Sequence, residues 1–217
     1  MPASFLGAPA QTKYMIESYN AGPRWCYRVR RASDTRLANL LGALSTGLTD
    51  GVHEATSTAA QLDEVAATAL IALLDFSPRG SVRTLSQVIG LTHSGTVRLV
   101  DRLVSAGYVA RTPGRDARSR SPILTATGAT VARRVRSARE RAIARHLATL
   151  SNNERASLTR LCESLVSAVT KQRLEQRNAG LMPAGGALCR MCDFAACGRD
   201  KGTCPAAEAA APHVRAG

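Results

Sequence analysis

Residues 84–128 are the most informative part of this chain, and they read TLSQVIGLTHSGTVRLVDRLVSAGYVARTPGRDARSRSPILTATG. A capping box at Thr84 opens a short amphipathic segment, which stops at Gly90. Thr92 then has the position of an N-cap for a second helix, which Gly107 closes. Two short helices joined by a glycine-containing turn are typical of a helix-turn-helix.

A β-hairpin, or wing, is predicted directly after the second helix. Residues 108–112 (YVART) have strand character, residues 113–120 (PGRDARSR) form a charged turn, and residues 123–125 return as a second strand. Because Pro122 lies where the returning strand begins, we expect that strand to be short or bent. The order of helix, turn, helix and hairpin predicts a winged helix-turn-helix.

Long helical patterns flank this region. Leucines recur at helical spacing from Leu37 to Leu48, and a capping box at Thr58–Gln61 predicts the start of the next helix. After the wing, an apolar stripe runs from Val131 to Leu147, and a capping box at Ser151–Glu154 opens a last helix. We expect a mainly α fold with a small β-hairpin wing and long terminal dimerisation helices. The predicted organisation is a flexible basic leader (1–32), a winged helix-turn-helix and dimerisation domain (33–180) and a Cys-rich tail (181–217).

The charge of the chain is unevenly distributed. From Arg79 to Arg145 there are fourteen Arg against three acidic residues, a net +11, whereas residues 33–78 carry one Arg against six acidic residues, a net −5. Such a basic block indicates a surface for a polyanion. No apolar run reaches the roughly 18 residues of a membrane span, and the N-terminus lacks the apolar core of a signal peptide. We therefore expect a cytoplasmic protein without a membrane partner, in which thiols stay reduced.

Four runs in the sequence resemble the MarR family of bacterial regulators: Leu91–Leu103, Gly107–Arg111, Asp116–Arg118 and Leu124–Gly128. The resemblance implies a dimer whose first and last helices intertwine, with a winged helix-turn-helix on each subunit. Many members of the family respond to a small, often phenolic, ligand or to an oxidant, so the resemblance also implies a possible small-molecule effector for this protein. By the same resemblance, Asp116 braces the wing and orients Arg118. One departure is Gly95 inside the recognition helix, which costs about 1 kcal/mol relative to Ala.

Candidate DNA contacts follow from the docking of such a domain. A recognition helix in the major groove presents the side chains of its N-terminal turns to base edges. We expect Arg98 to bind a guanine through both guanidinium nitrogens and Arg102 to contact phosphate. Arginines of the wing suit a narrow minor groove. The predicted DNA-binding residues are Thr92, His93, Ser94, Thr96, Arg98, Arg102, Arg115, Asp116, Arg118 and Arg120. The alternative for each is a solvated surface position.

The tail carries a cluster of four cysteines, Cys189-x2-Cys192-x4-Cys197-x6-Cys204. Four thiolates in one short loop can close a tetrahedral zinc site, so these four are the predicted metal ligands. An iron–sulfur cluster, a thiol–disulfide switch and the absence of any site are the open alternatives. Cys162, beside Leu161 on the last helix, is interpreted as a small core residue, with oxidant sensing as its alternative.

The sequence contains no Walker loop, no G-x-S-x-G, no G-x-G-x-x-G and no H-E-x-x-H, so we do not expect an enzyme. The leading hypothesis is a sequence-specific repressor that binds an inverted repeat in double-stranded DNA as a homodimer. A ligand, a metal or redox state would control its occupancy. The alternative is a non-specific architectural or RNA-binding protein in which the basic surface acts together with a metal-binding tail of four cysteines.

Overall fold

The computed structural model of this protein describes residues 32–113, 120–181 and 185–214. The chain divides into two units after Leu44, inside the first helix, α1 (Ala32–Ala60). The described part of the first unit is helical and carries a stripe of exposed leucines, namely Leu37, Leu40, Leu41 and Leu44. The predicted basic leader, apart from its final residue, lies outside the described residues.

The second unit begins at Ser45 and contains the winged helix-turn-helix. After α1 its elements are α2 (Glu64–Ile71), a π-helical turn (Ala72–Phe76), α3 (Val82–Ile89), α4 (His93–Ser105), β1 (Val109–Pro113), β2 (Arg120–Leu124), α5 (Ala126–Leu147), α6 (Asn152–Asn178) and α7 (Pro205–Val214). The two strands form an antiparallel hairpin. The predicted fold class, mainly α with a β-hairpin wing, is confirmed.

The core of the second unit is aliphatic and centred on α2. Three alanines of this helix, Ala66, Ala67 and Ala69, are fully buried, and small side chains allow α5 to pack closely against it. Leu85 of α3 and Leu103 of α4 complete the core from the helix-turn-helix side. The recognition helix is therefore anchored to the interior of the domain.

Side-chain caps explain where most helices begin. Thr92 caps α4, and Ser151 with Glu154 forms the predicted capping box of α6. Two predicted starts are wrong. Helix α1 runs through Thr58 to Ala60, and α2 begins only after Asp63, whose carboxylate accepts from the Ala66 amide at 2.8 Å.

The second wrong start is that of helix α3, which begins one turn earlier than predicted. Ser81 is its N-cap, with an extended backbone and a hydroxyl that accepts from the Thr84 amide at 3.1 Å. Thr84 therefore lies inside the helix. The predicted end at Gly90 is confirmed, because this glycine adopts the left-handed conformation (φ 75°) that terminates helices.

The wing pairs in regular antiparallel register, with Val109 opposite Leu124 and Pro113 opposite Arg120. Pro122 lies within β2 opposite Arg111 and is buried. The returning strand is therefore longer than expected and includes the proline. A two-stranded sheet tolerates proline because each strand has one unpaired edge, where no backbone N–H is needed as a hydrogen-bond donor.

Candidate nucleic-acid interface

Helix α4 presents a polar first turn and buries its opposite face. The Thr92 hydroxyl accepts from the Gly95 amide at 3.1 Å, which satisfies one of the free donors at the helix start. Leu99, Val100 and Leu103 are buried and hold the helix on the core. The exposed side chains at its N-terminal end include those of Thr92, His93 and Ser94, and Arg98, which is also exposed, follows one turn later.

Thr96 requires a correction. It is 0% exposed, and its hydroxyl donates to the Thr92 carbonyl oxygen at 2.9 Å. A base edge in the groove cannot reach this side chain, so Thr96 belongs to the packing of α4 against the core. A hydroxyl that bonds to its own helix backbone can be buried at little cost, which is why a polar residue occupies this position.

Arg102 forms an ion pair with Asp63, with 2.7 Å between a guanidinium nitrogen and a carboxylate oxygen. Both side chains are about half exposed. An exposed pair contributes about 0–1 kcal/mol, so Arg102 can leave Asp63 for a phosphate at small cost. The same aspartate caps α2, and the pair therefore connects the recognition helix to the start of that helix.

A second ion pair, which the sequence pattern did not reveal, joins the wing to the recognition helix. Arg111 of β1 donates to the Asp101 carboxylate of α4. The signal in the sequence is one acidic residue among arginines from residue 98 to residue 111. This contact orients the base of the wing relative to α4.

The tip of the wing lies partly outside the described residues, and Arg115, Asp116 and Arg118 are among the residues left out. Arg120 is described, is exposed and opens β2 opposite Pro113. Of the four predicted wing residues, the structure therefore places Arg120 alone, at the tip end of the hairpin.

The Leu-Thr-x-x-Gly motif at the end of the wing has a clear structural basis. Thr125 caps α5 by accepting from the Gly128 amide at 3.0 Å, and its hydroxyl donates to the Gly107 carbonyl oxygen at 2.7 Å. A Cβ on Gly128 would lie 1.9 Å from the Tyr108 carbonyl oxygen. Only glycine permits this close approach, which joins the two ends of the hairpin at the start of α5.

The four tail cysteines form two pairs in the structure. The Sγ atoms of Cys197 and Cys204 lie 3.8 Å apart, and the thiols of Cys189 and Cys192 are hydrogen-bonded to each other. All four thiols are free. Within the described ranges, no group of three or more His, Cys, Asp or Glu side chains is arranged to hold one metal ion. The structure therefore brings the predicted ligands together two by two.

The two pairs have different electrostatics. The hydrogen bond with Cys189 lowers the pKa of the Cys192 thiol to about 6. This effect outweighs burial, which raises the pKa, and the positive charges of Arg139 and Arg199 lower it further. The same hydrogen bond, together with burial, raises the pKa of Cys189. Burial, with a smaller effect of Cys204, raises the pKa of Cys197 to about 11.

The tail packs on the winged-helix domain rather than standing apart from it. The Ala187 amide donates to the Val88 carbonyl oxygen of α3 at 2.8 Å, and Arg173 of α6 donates to the Gly186 carbonyl oxygen at 2.8 Å. A Cβ on Gly186 would lie 2.4 Å from the Val88 oxygen, so the contact needs glycine. The tail thus touches both the first helix of the helix-turn-helix and the last long helix.

Cys162 is exposed on α6, which contradicts its interpretation as a core residue. The apolar stripe around it is also open, and α6 has no buried residue along its 27 positions. Among the residues that the structure describes, no helix is long and apolar enough to cross a membrane.

Comparison with known proteins finds similarity to one family over this domain. The family model described as "MarR family" matches residues 61–119, which span α2 to the wing. A MarR family protein from Bacillus stearothermophilus is similar in structure, with a TM-score of 0.57 and 28% identity over 64% of this chain and 96% of its own. The fold is shared by the YusO protein from Bacillus subtilis (TM-score 0.53, 21% identity, 62% of this chain and 97% of that one). No curated protein matches the chain significantly.

The matched segment contains the recognition helix, the Asp101–Arg111 ion pair and the first wing strand. MarR family proteins are transcription regulators and not enzymes, so the expectation that this chain is not an enzyme is confirmed. The winged helix-turn-helix of this chain is thus similar to that of MarR family proteins in both sequence and fold.

Proposed function

We propose that this protein is a cytoplasmic, sequence-specific DNA-binding regulator, a repressor that binds an inverted-repeat operator as a homodimer. The observation that carries the proposal is the first half of α4. Exposed polar side chains there are held in place by a buried apolar face, and the surrounding segment is strongly basic. This is the arrangement with which a recognition helix enters the major groove.

Arg98 is the side chain that we assign to base reading. It lies on the second turn of α4, one turn after the His93–Ser94 start of the helix. A guanidinium at such a position binds the O6 and N7 atoms of guanine with two hydrogen bonds. Thr92, His93 and Ser94 supply shorter donors and acceptors for neighbouring bases or phosphates, and Arg102 supplies a phosphate contact.

The wing is proposed to contact the minor groove or its flanking phosphates. Arg120 is exposed at the tip end of β2, and Arg115 and Arg118 precede it in the same charged turn of the sequence. A narrow minor groove concentrates negative potential, which favours inserted arginines. Asp116 keeps the role implied by the family resemblance, as a brace for Arg118.

The homodimer is supported by apolar faces that the single chain leaves open. Leu161 and Leu165 of α6 are exposed, and so are the leucines of the first unit. Contiguous exposed apolar side chains on a long helix mark an association surface. A two-fold dimer would place two recognition helices about one turn of DNA apart, and its site would be an inverted repeat.

A groove of about 610 Å³ between α1 and α5 is the proposed effector site. Its floor includes Ala55, Ala59 and Ala138, and Arg134 and Arg141 are among the residues that line it. An apolar floor beside guanidinium groups suits an anion with an aromatic or aliphatic body. Benzoate is a suitable first probe, and Arg141→Ala should abolish its effect on thermal stability and on DNA release.

Selection of preferred DNA from a random library, followed by footprinting, tests the proposal. We expect one discrete palindrome, protected on both half-sites. Arg98→Ala should lose the base preference at one position of each half-site, whereas the control Arg160→Ala, on exposed α6, should keep it. Uniform coating of DNA, or preferential binding to RNA, would support the architectural alternative and refute this function.

A further inference from the structure

We propose that Cys189, Cys192, Cys197 and Cys204 bind one zinc ion per chain as a tetrathiolate site, an inference independent of the proposed DNA function. The first observation is the distance of 3.8 Å between the Sγ atoms of Cys197 and Cys204. Zinc–sulfur bonds of about 2.3 Å in a tetrahedron place neighbouring sulfurs about 3.8 Å apart. A disulfide would instead need about 2.05 Å between the two sulfurs. The pair therefore has the spacing of one edge of a zinc tetrahedron.

The second pair, Cys189 and Cys192, lies on one tight turn of the backbone. The Cys192 amide donates to the Cys189 carbonyl oxygen at 3.1 Å, which closes a tight turn and brings the two thiols into contact. A Cys-x2-Cys spacing is the usual way in which one turn supplies two ligands to a structural zinc ion. Each half of the proposed site therefore has its two thiols side by side.

The chain between the pairs is built to return on itself. Gly198 and Gly202 have φ angles of 70° and 74°, a conformation that glycine adopts without strain. Cys204 is 2% exposed and directly precedes α7. In the described residues no three of these side chains are arranged to hold one ion, so binding of zinc by all four requires the two pairs to move together.

Positive charge near the cluster suits a zinc tetrathiolate centre, which carries two negative charges. The guanidinium groups of Arg139, Arg190 and Arg199 lie close enough to Cys192 for their positive charges to stabilise a negative charge there. Arg199 is held in place by aromatic rings, with its guanidinium carbon 4.4 Å from the centre of the Phe194 ring. The Phe194 ring in turn packs edge-on against another aromatic ring, that of Phe76, at 5.6 Å. The residues between the ligands therefore fix the segment to the π-helical turn and supply the counter-charge.

The test is metal analysis of the full-length protein, purified in reducing buffer both in air and without oxygen. We expect one zinc per chain, and replacement by Co²⁺ should give the intense visible bands of a tetrahedral thiolate site. Cys197→Ser and Cys189→Ser should each lose the metal. Cys162→Ser is the matched control, because this thiol is exposed on α6 outside the cluster, and it should keep full occupancy.

Helical circular dichroism and molar mass serve as a second readout, so that loss of metal can be separated from loss of fold. Metal loss from folded Cys197→Ser or Cys189→Ser supports the proposal. Three results would overturn it: wild-type protein that neither contains nor takes up Zn²⁺ or Co²⁺, full occupancy in both cluster variants, or two disulfides among the four cysteines in protein purified in reducing buffer. Iron with acid-labile sulfide in the anaerobic protein would also overturn it, in favour of an iron–sulfur cluster.

Discussion

Replacing Leu161 and Leu165 by alanine should separate the proposed dimer into monomers. The two side chains are 62% and 50% exposed in the single chain. Complete burial of a leucine stabilises by about 1.5–3 kcal/mol. Scaled by the exposed fractions, reduced by the one side-chain carbon that alanine keeps, and counted on both subunits, the loss is about 2.5–5 kcal/mol. The dimer dissociation constant should therefore rise about 10²- to 10⁴-fold.

The assay is sedimentation equilibrium from nanomolar to micromolar protein, with thermal unfolding of the monomer alongside. Alanine favours helix, and both leucines are exposed in the single chain, so the isolated subunit should remain folded. Glu163→Ala is the control, because this residue lies on the opposite face of α6 and is exposed. If the double variant dimerises as tightly as the wild type, the α6 stripe is not the association surface. If Glu163→Ala dissociates equally, the effect is not specific to that face.

Three further outcomes are expected. Arg98→Ala should reduce affinity for the selected site by about 1–3 kcal/mol while Arg160→Ala changes nothing, as measured by fluorescence anisotropy on the palindrome; equal losses would refute the base contact. Gly128→Ala should destabilise the domain by about 1–3 kcal/mol in urea unfolding, because the added Cβ would lie 1.9 Å from the Tyr108 carbonyl oxygen. Gly51→Ala is the control and should not destabilise the domain, because its added Cβ would meet no neighbouring atom within 4 Å. Removal of zinc by a chelator should lower the melting temperature and leave the dimer intact, and an unchanged melting curve would contradict a stabilising metal site.

The sequence was a reliable guide where one local interaction decides the structure. Thr92 and Ser151 each cap a helix through an amide three residues further on, and both helix starts were predicted. The helix start predicted at Thr84 is wrong, because Ser81 offers an equivalent hydroxyl one turn earlier. The backbone conformation chooses between two such candidates, and a single sequence does not show it.

Burial was harder to predict than helix position. The periodicity around Cys162 shows an apolar face but does not say whether the same chain or a second copy covers it. Thr96 shows the reverse case, a polar residue that is buried although we predicted it to be exposed. Its hydroxyl donates to the Thr92 carbonyl oxygen, and this hydrogen bond makes the side chain compatible with the core. The contact between Gly186 and Val88 runs through backbone atoms, which leave no pattern of side chains to read.

That backbone contact gives the tail a position from which it can influence DNA binding. Arg173 of α6 and Val88 of α3 bond to adjacent residues, Gly186 and Ala187, so one short segment is fixed to both helices. Operator binding by a dimer depends on the separation of its two recognition helices, which must match about one turn of DNA. If α6 forms the dimer surface, this short segment joins that surface to α3, the first helix of the helix-turn-helix. Cys189 lies only two residues beyond Ala187, so we expect Cys189→Ser to change the affinity for the selected palindrome, and an unchanged affinity in fluorescence anisotropy would contradict this link.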